Sequence, residues 1–345
     1  MNRRYMLKRS AVATAGIAAL AGCLADDDTD DTDDTDSDTE DTFPDQSVEV
    51  VIPFGEGGGT DIFARTVGNE ATDALGESIE FNNVTGAGGL NGSQQVFNSD
   101  SDGHTTLMFN PPSTPTSWLI QQPDFDIGQF KGVARFGQFP YLVYANADYE
   151  IESYQGLLDR FEDGEFTQIA GQGTGTVSDV IARTLRDEYD LGWDSYISYE
   201  GGGEVTQAVM SDEVTVGLGT DSSAESGVEE GRIEPIACLP SGGSAVLPEL
   251  ETLEEQGFAE EGDSIDIVAM LNVCMWAPPE TPDDRIQVLT EAIEEAIDSE
   301  AVTEFGEESG NIIEYGGPDV ANDLLQSSLE TIPEIVDIEA IREDT

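Results

Sequence analysis

From Val48 onward the chain alternates short apolar runs with amphipathic stretches. Val48 to Pro53 (Val-Glu-Val-Val-Ile-Pro) has the composition of a buried strand, and a glycine-rich turn, Gly55 to Gly59, follows it. Ile62, Phe63, Val67 and Ala71 then recur at helical spacing, which predicts a helix from Thr60 to Leu75 stopped by Gly76. Ile79–Asn83 is a short strand, Gly86 to Gly92 a second glycine cluster leading into a helix to Asn98, and Thr105–Asn110 a strand before Pro111-Pro112. A strand lies within Val133–Ala145, after which the pattern restarts. Ser153–Glu162 is a helix and Phe166–Ala170 a strand. Gly171 to Thr176 is a third glycine turn, with a helix beyond it to Tyr189. Tyr196–Tyr199 is a strand, Gly201 to Gly203 a further turn, and the next helix ends at Met210. Val214–Gly219, Ile233–Leu239 and Ile267–Ala277 are strand-like, and Pro282–Ser299 and Pro318–Ile341 are amphipathic helices.

Repeated strand–turn–helix units predict an α/β protein with parallel sheets covered on both faces. Two series, opening at Val48 and at Phe166, predict two α/β domains, with the chain crossing back to the first near residue 270. The boundaries so read are 46–145 plus 271–345 for one domain and 146–270 for the other. Ligands of such sheets bind at the carboxyl ends of the strands, here a cleft between the domains.

The 345 residues carry 72 acidic and 13 basic side chains, a formal charge of −59, with lysine only at Lys8 and Lys131. Such a surface repels phosphate backbones and excludes nucleic acid as a partner. Self-repulsion of this size destabilises a compact state in dilute buffer, and molar salt shortens the Debye length to about 3 Å. The charge therefore reads as that of an extreme halophile and reports habitat rather than ligand.

Residues 1–22 read as an export signal: Arg3-Arg4 before apolar Tyr5-Met6-Leu7, then a short small-residue run from Ala11 to Ala21. Leu20-Ala21-Gly22-Cys23 has the form of a lipobox, so Cys23 is the expected lipidation site after Tat export. Removing 1–22 takes four basic and no acidic residues away, moving the charge from −59 to −63. Residues 23–45 are an Asp/Thr-rich tether that lacks the apolar groups to bury a core. Cys238 and Cys274 lie in apolar runs as free thiols, without histidine or CxxC partners. His104 is the single histidine and reads as a turn residue.

The turns Pro53-Phe54-Gly55-Glu56-Gly57-Gly58-Gly59-Thr60-Asp61 and Gly171-Gln172-Gly173-Thr174-Gly175-Thr176 each join a strand to a helix. Glycines let main-chain N–H groups approach a ligand, and a helix N-terminus favours an anion. The two turns are therefore expected to hold a carboxylate between them. Arg65 and Arg183 lie a turn into the helices and are expected to matter less. No lysine follows either turn as a P-loop requires, and the sixth positions, Thr60 and Thr176, break a GxGxxG fingerprint. With no GxSxG, HExxH or paired-cysteine motif, an enzyme is the least favoured reading and neither metal nor cofactor is expected.

Val51-Ile52-Pro53-Phe54-Gly55 to Arg65, Asn82-Asn83-Val84-Thr85-Gly86-Ala87-Gly88-Gly89, Asp102-Gly103-His104-Thr105, Tyr199-Glu200-Gly201-Gly202, Leu247-Pro248 and Ala277 to Pro282 occur in the order seen in one family. Over 48–340 the chain resembles the extracytoplasmic solute receptors of tripartite tricarboxylate transporters, the Bug or TctC family. The resemblance implies a type II periplasmic-binding-protein fold hinged about an interdomain cleft. It also implies capture of a small carboxylate or amino-acid-like solute through main-chain amides, and delivery to membrane permease subunits; with the lipobox at Cys23, the expected receptor is a lipid-anchored monomer outside the membrane. The expected ligand-binding residues are Pro53, Phe54, Gly55, Gly57, Gly58, Gly59, Thr60, Asp61, Gly86, Ala87, Gly88, Asn110, Gly171, Gly173, Thr174, Gly175, Thr176, Tyr199 and Asp221. Glu56 and Glu200 depart from the family, which often has proline and a basic residue there. With Glu204 and Asp221 they count against a tricarboxylate such as citrate. Competing readings are a receptor for another transporter type and the ligand-sensing input of a membrane kinase.

Overall fold

In a computed structural model, residues 43–309 and 311–344 are described; the proposed signal, Cys23 and nearly all of the tether lie outside them. The strands are β1 (Val48–Ile52), β2 (Ile79–Asn83), β3 (Thr105–Phe109), β4 (Lys131–Asn146), β5 (Gln168–Gln172), β6 (Ser195–Tyr199), β7 (Val216–Thr220), β8 (Ile233–Cys238), β9 (Met270–Ala277) and β10 (Ile312–Gly316). The helices are α1 (Gly59–Leu75), α2 (Leu90–Phe97), α3 (Ser113–Gln121), α4 (Tyr154–Glu162), α5 (Val177–Glu188) and α6 (Gly202–Met210). They continue with α7 (Asp221–Glu229), α8 (Ser264–Ala269), α9 (Asp283–Ile297), α10 (Glu300–Ser309), α11 (Pro318–Ile335) and α12 (Ile338–Asp344).

The ten strands join in one sheet ordered β2-β1-β3-β9-β4-β7-β5-β6, with β8 and β10 also paired to β4. The strands that precede the glycine turns are parallel: β1 to β2 and β3, and β5 to β6 and β7. The centre is antiparallel, which the strand–helix alternation did not predict. β4 runs for sixteen residues across both halves. Lys131–Pro140 pairs with β9, and Tyr141–Asn146 with β7 and β8. Crossing strands must return, and an antiparallel neighbour such as β9 does so without a covering helix. β9 starts at Met270, opposite Pro140, and its far end pairs with β3.

Other elements also differ from the sequence reading. The run at Ile267 is helical until Ala269, and the last helix is broken, because Val336 is extended with ψ 149°. Both free cysteines are buried, and burial pushes their thiols up. His104 packs edge-on against Phe43 at 4.9 Å, between Asp45 at 3.1 Å and Asp102 at 3.3 Å.

The core positions the loops. Phe63, on the second turn of α1, is fully buried between Phe139 and Phe305, at ring distances of 5.0 and 5.5 Å. Edge-to-face pairs of this kind contribute about 0.5–1.5 kcal/mol beyond burial. A Cβ at Gly59 would sit 2.7 Å from the tip of the Phe139 ring, so any side chain there would force that ring to shift. Among the described residues, no helix is long and apolar enough to cross a membrane.

Candidate functional site

Five strands end where five helices begin. β1, β3, β5, β6 and β7 lead into α1, α3, α5, α6 and α7. A helix N-terminus leaves its first N–H groups unpaired and carries partial positive charge. Among the described residues, no protein partner takes the N–H of Gly59 or Thr60 in α1, Val177 or Ser178 in α5, or Gly202 or Gly203 in α6.

The two glycine turns are built alike. Gly57 has φ +75° and Gly175 φ +76°, a left-handed conformation that glycine adopts without a Cβ penalty. Gly57 N–H donates to Asp61 Oδ2 at 2.9 Å, and Gly175 N–H to Asp179 Oδ2 at 3.0 Å. Arg65 Nε donates to Asp61 at 3.0 Å and Arg183 Nε to Asp179 at 2.8 Å. Each turn thus carries glycine, aspartate four residues on, and arginine four beyond that. Asp61 also accepts from Asn83 Nδ2 at 2.9 Å. Burial opposes its charge, but the bonds from Arg65, Gly57 and Asn83 outweigh it and hold the carboxyl below its ordinary value. Asp61 therefore braces its turn rather than facing the cleft. The repeat was readable in Gly57–Arg65 and Gly175–Arg183, yet sequence reasoning missed it.

The turns face two separate cavities. The first, about 320 Å³, is lined by Gly57, Gly58 and Gly59 together with Ile62, Phe63 and Phe139, across from Gly203, Ser222 and Ser223, with Asn311 at its edge. The second, about 430 Å³, has Phe54, Gly88, Ser113 and Ser117 on one side and Gln172, Gly173, Thr176, Ser198, Tyr199 and Glu200 on the other. Each cavity is bounded by both halves of the sheet, and neither has a basic side chain in its lining. A hollow of about 490 Å³ near Ile236 and Leu247 is lined by none of the glycine turns.

Of the expected residues, Phe54, Gly57, Gly58, Gly59, Gly88, Gly173, Thr176 and Tyr199 line these cavities. Pro53, Thr60, Asn110, Gly171 and Gly175 are buried and line neither cavity. Asn110 Nδ2 donates to Thr60 Oγ1 at 2.6 Å, while Asn110 Oδ1 and Thr114 Oγ1 are buried without a partner. Gly55 accepts the Gly58 N–H at 3.1 Å, and Gly86 accepts that of Gly89 at 3.1 Å. Ala87 and Thr174 line neither cavity. Sequence reasoning missed the hydroxyls of Ser113, Ser117, Ser222 and Ser223, because α3 and α7 carried no recognised helical period.

Asp221 opens α7, just before Ser222 and Ser223 of the first cavity. It is 2% exposed and accepts from Ser244 Oγ at 2.8 Å and from the Ser222 N–H at 2.7 Å. Burial pushes its carboxyl up to about 6, against those two bonds and with help from nearby Glu225. A raised carboxyl binds a proton in the native state that the unfolded chain has already lost. Its contribution to stability therefore falls as pH climbs from about 4 to 6 and stays low above that. Relative to wild type, Asp221→Asn should gain about 2–3 kcal/mol between pH 4 and pH 7.5. Unfolding curves of both proteins in molar salt check this. A difference that does not change with pH would show that Asp221 does not titrate there.

The family profile described as the tripartite tricarboxylate transporter family receptor matches residues 63–337. The chain belongs to this TctC family. TctC relatives include the protein BugT of Bordetella pertussis, 25% identical over 298 residues, covering 85% of this chain and 84% of that one. MatC from Rhodopseudomonas palustris, solved with bound malate, is 23% identical and superposes with TM-score 0.71, covering 85% of this chain and 99% of its own. The periplasmic binding protein BugD is 20% identical, with TM-score 0.72 over 87% of this chain and 99% of its own. The fold is thus the α/β arrangement of periplasmic solute-binding proteins.

Proposed function

We propose that the chain is a receptor that captures a small carboxylate-bearing solute outside the cell membrane and delivers it to the permease subunits of a tripartite tricarboxylate transporter. The observation that carries this reading is the convergence of helix N-termini from both halves of the sheet, with unpaired N–H groups and serine and threonine hydroxyls, on cavities free of basic side chains. Such a lining suits an anion held by main-chain donors, each charge-assisted bond contributing roughly 1.5–3 kcal/mol. MatC, with malate, supports the solute class.

In this reading the two halves of the sheet act as lobes hinged where β4 crosses between them at Pro140–Tyr141 and where the chain returns into β9 at Met270, close to the expected boundaries at 145 and 270. The chain works as a monomer rather than an enzyme. It is tethered through lipidated Cys23 after Tat export, and its acidic surface is an adaptation to molar salt. A ligand that binds only the native state raises its stability by about 2.7 kcal/mol at a hundred times Kd. Thermal-shift screening of a carboxylate library in molar potassium chloride should therefore find stabilising members among compounds with one or two carboxylates. Stabilisation by amines or sugars alone would overturn the reading.

A further inference from the structure

We propose that Glu200 receives the ammonium group of the solute, so that this receptor selects an amino-acid-like zwitterion over a plain dicarboxylate. The inference rests on the carboxylate reading above and narrows it. Glu200 is the one carboxylate in the lining of the 430 Å³ cavity, which Tyr199 and Phe54 also line. Strand β6 holds it there. The Tyr199 carbonyl accepts the Gly173 N–H at 3.0 Å, tying Glu200 to the second glycine turn. The Glu200 N–H donates to Glu204 Oε2 at 3.0 Å, and the Tyr199 hydroxyl to Glu213 at 3.1 Å, so backbone and ring are both fixed.

Among the described residues, no cation is paired with this carboxylate. Lys131 and seven of the arginines among the described residues pair with other acids, and Arg232 donates to the Met210 carbonyl. None of these side chains lines the cavity. A solute of two carboxylates would bring like charge to Glu200, whereas an ammonium meets an anion in a lining that holds no other charged side chain. The carboxylate of the same solute then lies against the start of α5, a short distance away, as the adjacent charged groups of an α-amino acid require. Thr176 and Ser113 provide hydroxyls on the two sides of that position.

Calorimetry with matched probes tests this at constant ionic strength: L-aspartate against L-malate, L-glutamate against 2-hydroxyglutarate, and 2-aminoadipate against adipate. The wild type should bind the ammonium-bearing member of at least one pair about tenfold more tightly, given the modest strength of partly exposed cation contacts. Glu200→Gln should erase the preference and Glu200→Lys reverse it. Both variants alter an exposed side chain and should melt like wild type. Glu249→Gln, at an exposed residue lining the separate 490 Å³ hollow, controls for the overall negative field and should leave the preference unchanged. If no pair shows a preference, or if Glu200→Gln and Glu249→Gln behave alike, the inference falls while the carboxylate reading stands. If neither member of any pair binds, the carboxylate reading falls and this inference with it.

Discussion

Raising potassium chloride from about 0.2 to 2 M should lift the melting temperature of this protein by on the order of 10 °C or more, most of it below 1 M. The described residues place their few cations in local pairs, such as Arg135 with Glu314 at 2.6 Å and Lys131 with Asp283 at 2.8 Å. With 13 basic side chains against 72 acidic ones, most carboxylates have no cation to pair with. The surplus acts over distances that salt controls: the Debye length is about 8 Å at 0.15 M and 3 Å at 1 M. Many weak repulsions add up to several kcal/mol of destabilisation in dilute buffer. At roughly 2–4 °C per kcal/mol for a domain of this class, relief of several kcal/mol gives the stated rise. The curve should flatten once the Debye length falls below the spacing of neighbouring carboxylates. A sucrose series at matched osmolarity separates screening from solute exclusion, and it should give a much smaller rise. A melting temperature that stays level across the salt series would remove the halophilic interpretation.

The sequence made the edges of the sheet legible and hid its centre. β1, β5 and their glycine turns were readable because local chemistry marks them: an apolar run, glycines, then a 3.6-residue period. β4 was only partly readable. Its pairing with β9 shifts register between Gly132 and Ala134 and again between Arg135 and Gly137, so strict alternation is lost. Its direction relative to β9 depends on contacts more than a hundred residues apart, which no local period encodes. α7, Asp-Ser-Ser-Ala-Glu-Ser-Gly-Val-Glu, is too polar to show an apolar stripe, although Thr220 caps it through Ser223. The site followed the same division. The turns were found, whereas the serines opposite them required the fold. The expectation of one carboxylate held between the two turns remains a proposal: Gly58 lines one cavity and Gly173 the other, each bounded by both halves of the sheet.

Gly173→Val and Arg183→Gln should separate contact with the solute from support of the turn. Gly173 lines the larger cavity, and an added Cβ would meet only Thr176 Cγ2 at 3.4 Å, an ordinary packing distance. Its φ lies outside the left-handed region, so valine brings no backbone strain of that kind. The variant should melt within a degree or two of wild type and lose measurable binding, because its methyls occupy the solute's space. Arg183 acts at a distance. Its side chain is 15% exposed and pairs with Asp179, which is fully buried and holds the Gly175 N–H. Removing one partner of a buried pair costs about 3–5 kcal/mol, since the remaining charge is left without compensation. At 2–4 °C per kcal/mol, Arg183→Gln should melt about 10 °C lower. It should still bind, more weakly, because a looser turn populates the binding geometry less often. Arg65→Gln should do less, because Arg65 is 39% exposed and solvent screens its pair with Asp61. Differential scanning calorimetry and titration with the most stabilising carboxylate measure both quantities on the same samples. If Arg183→Gln abolishes binding at wild-type stability while Gly173→Val still binds, the arginine touches the solute and the main-chain cradle is wrong.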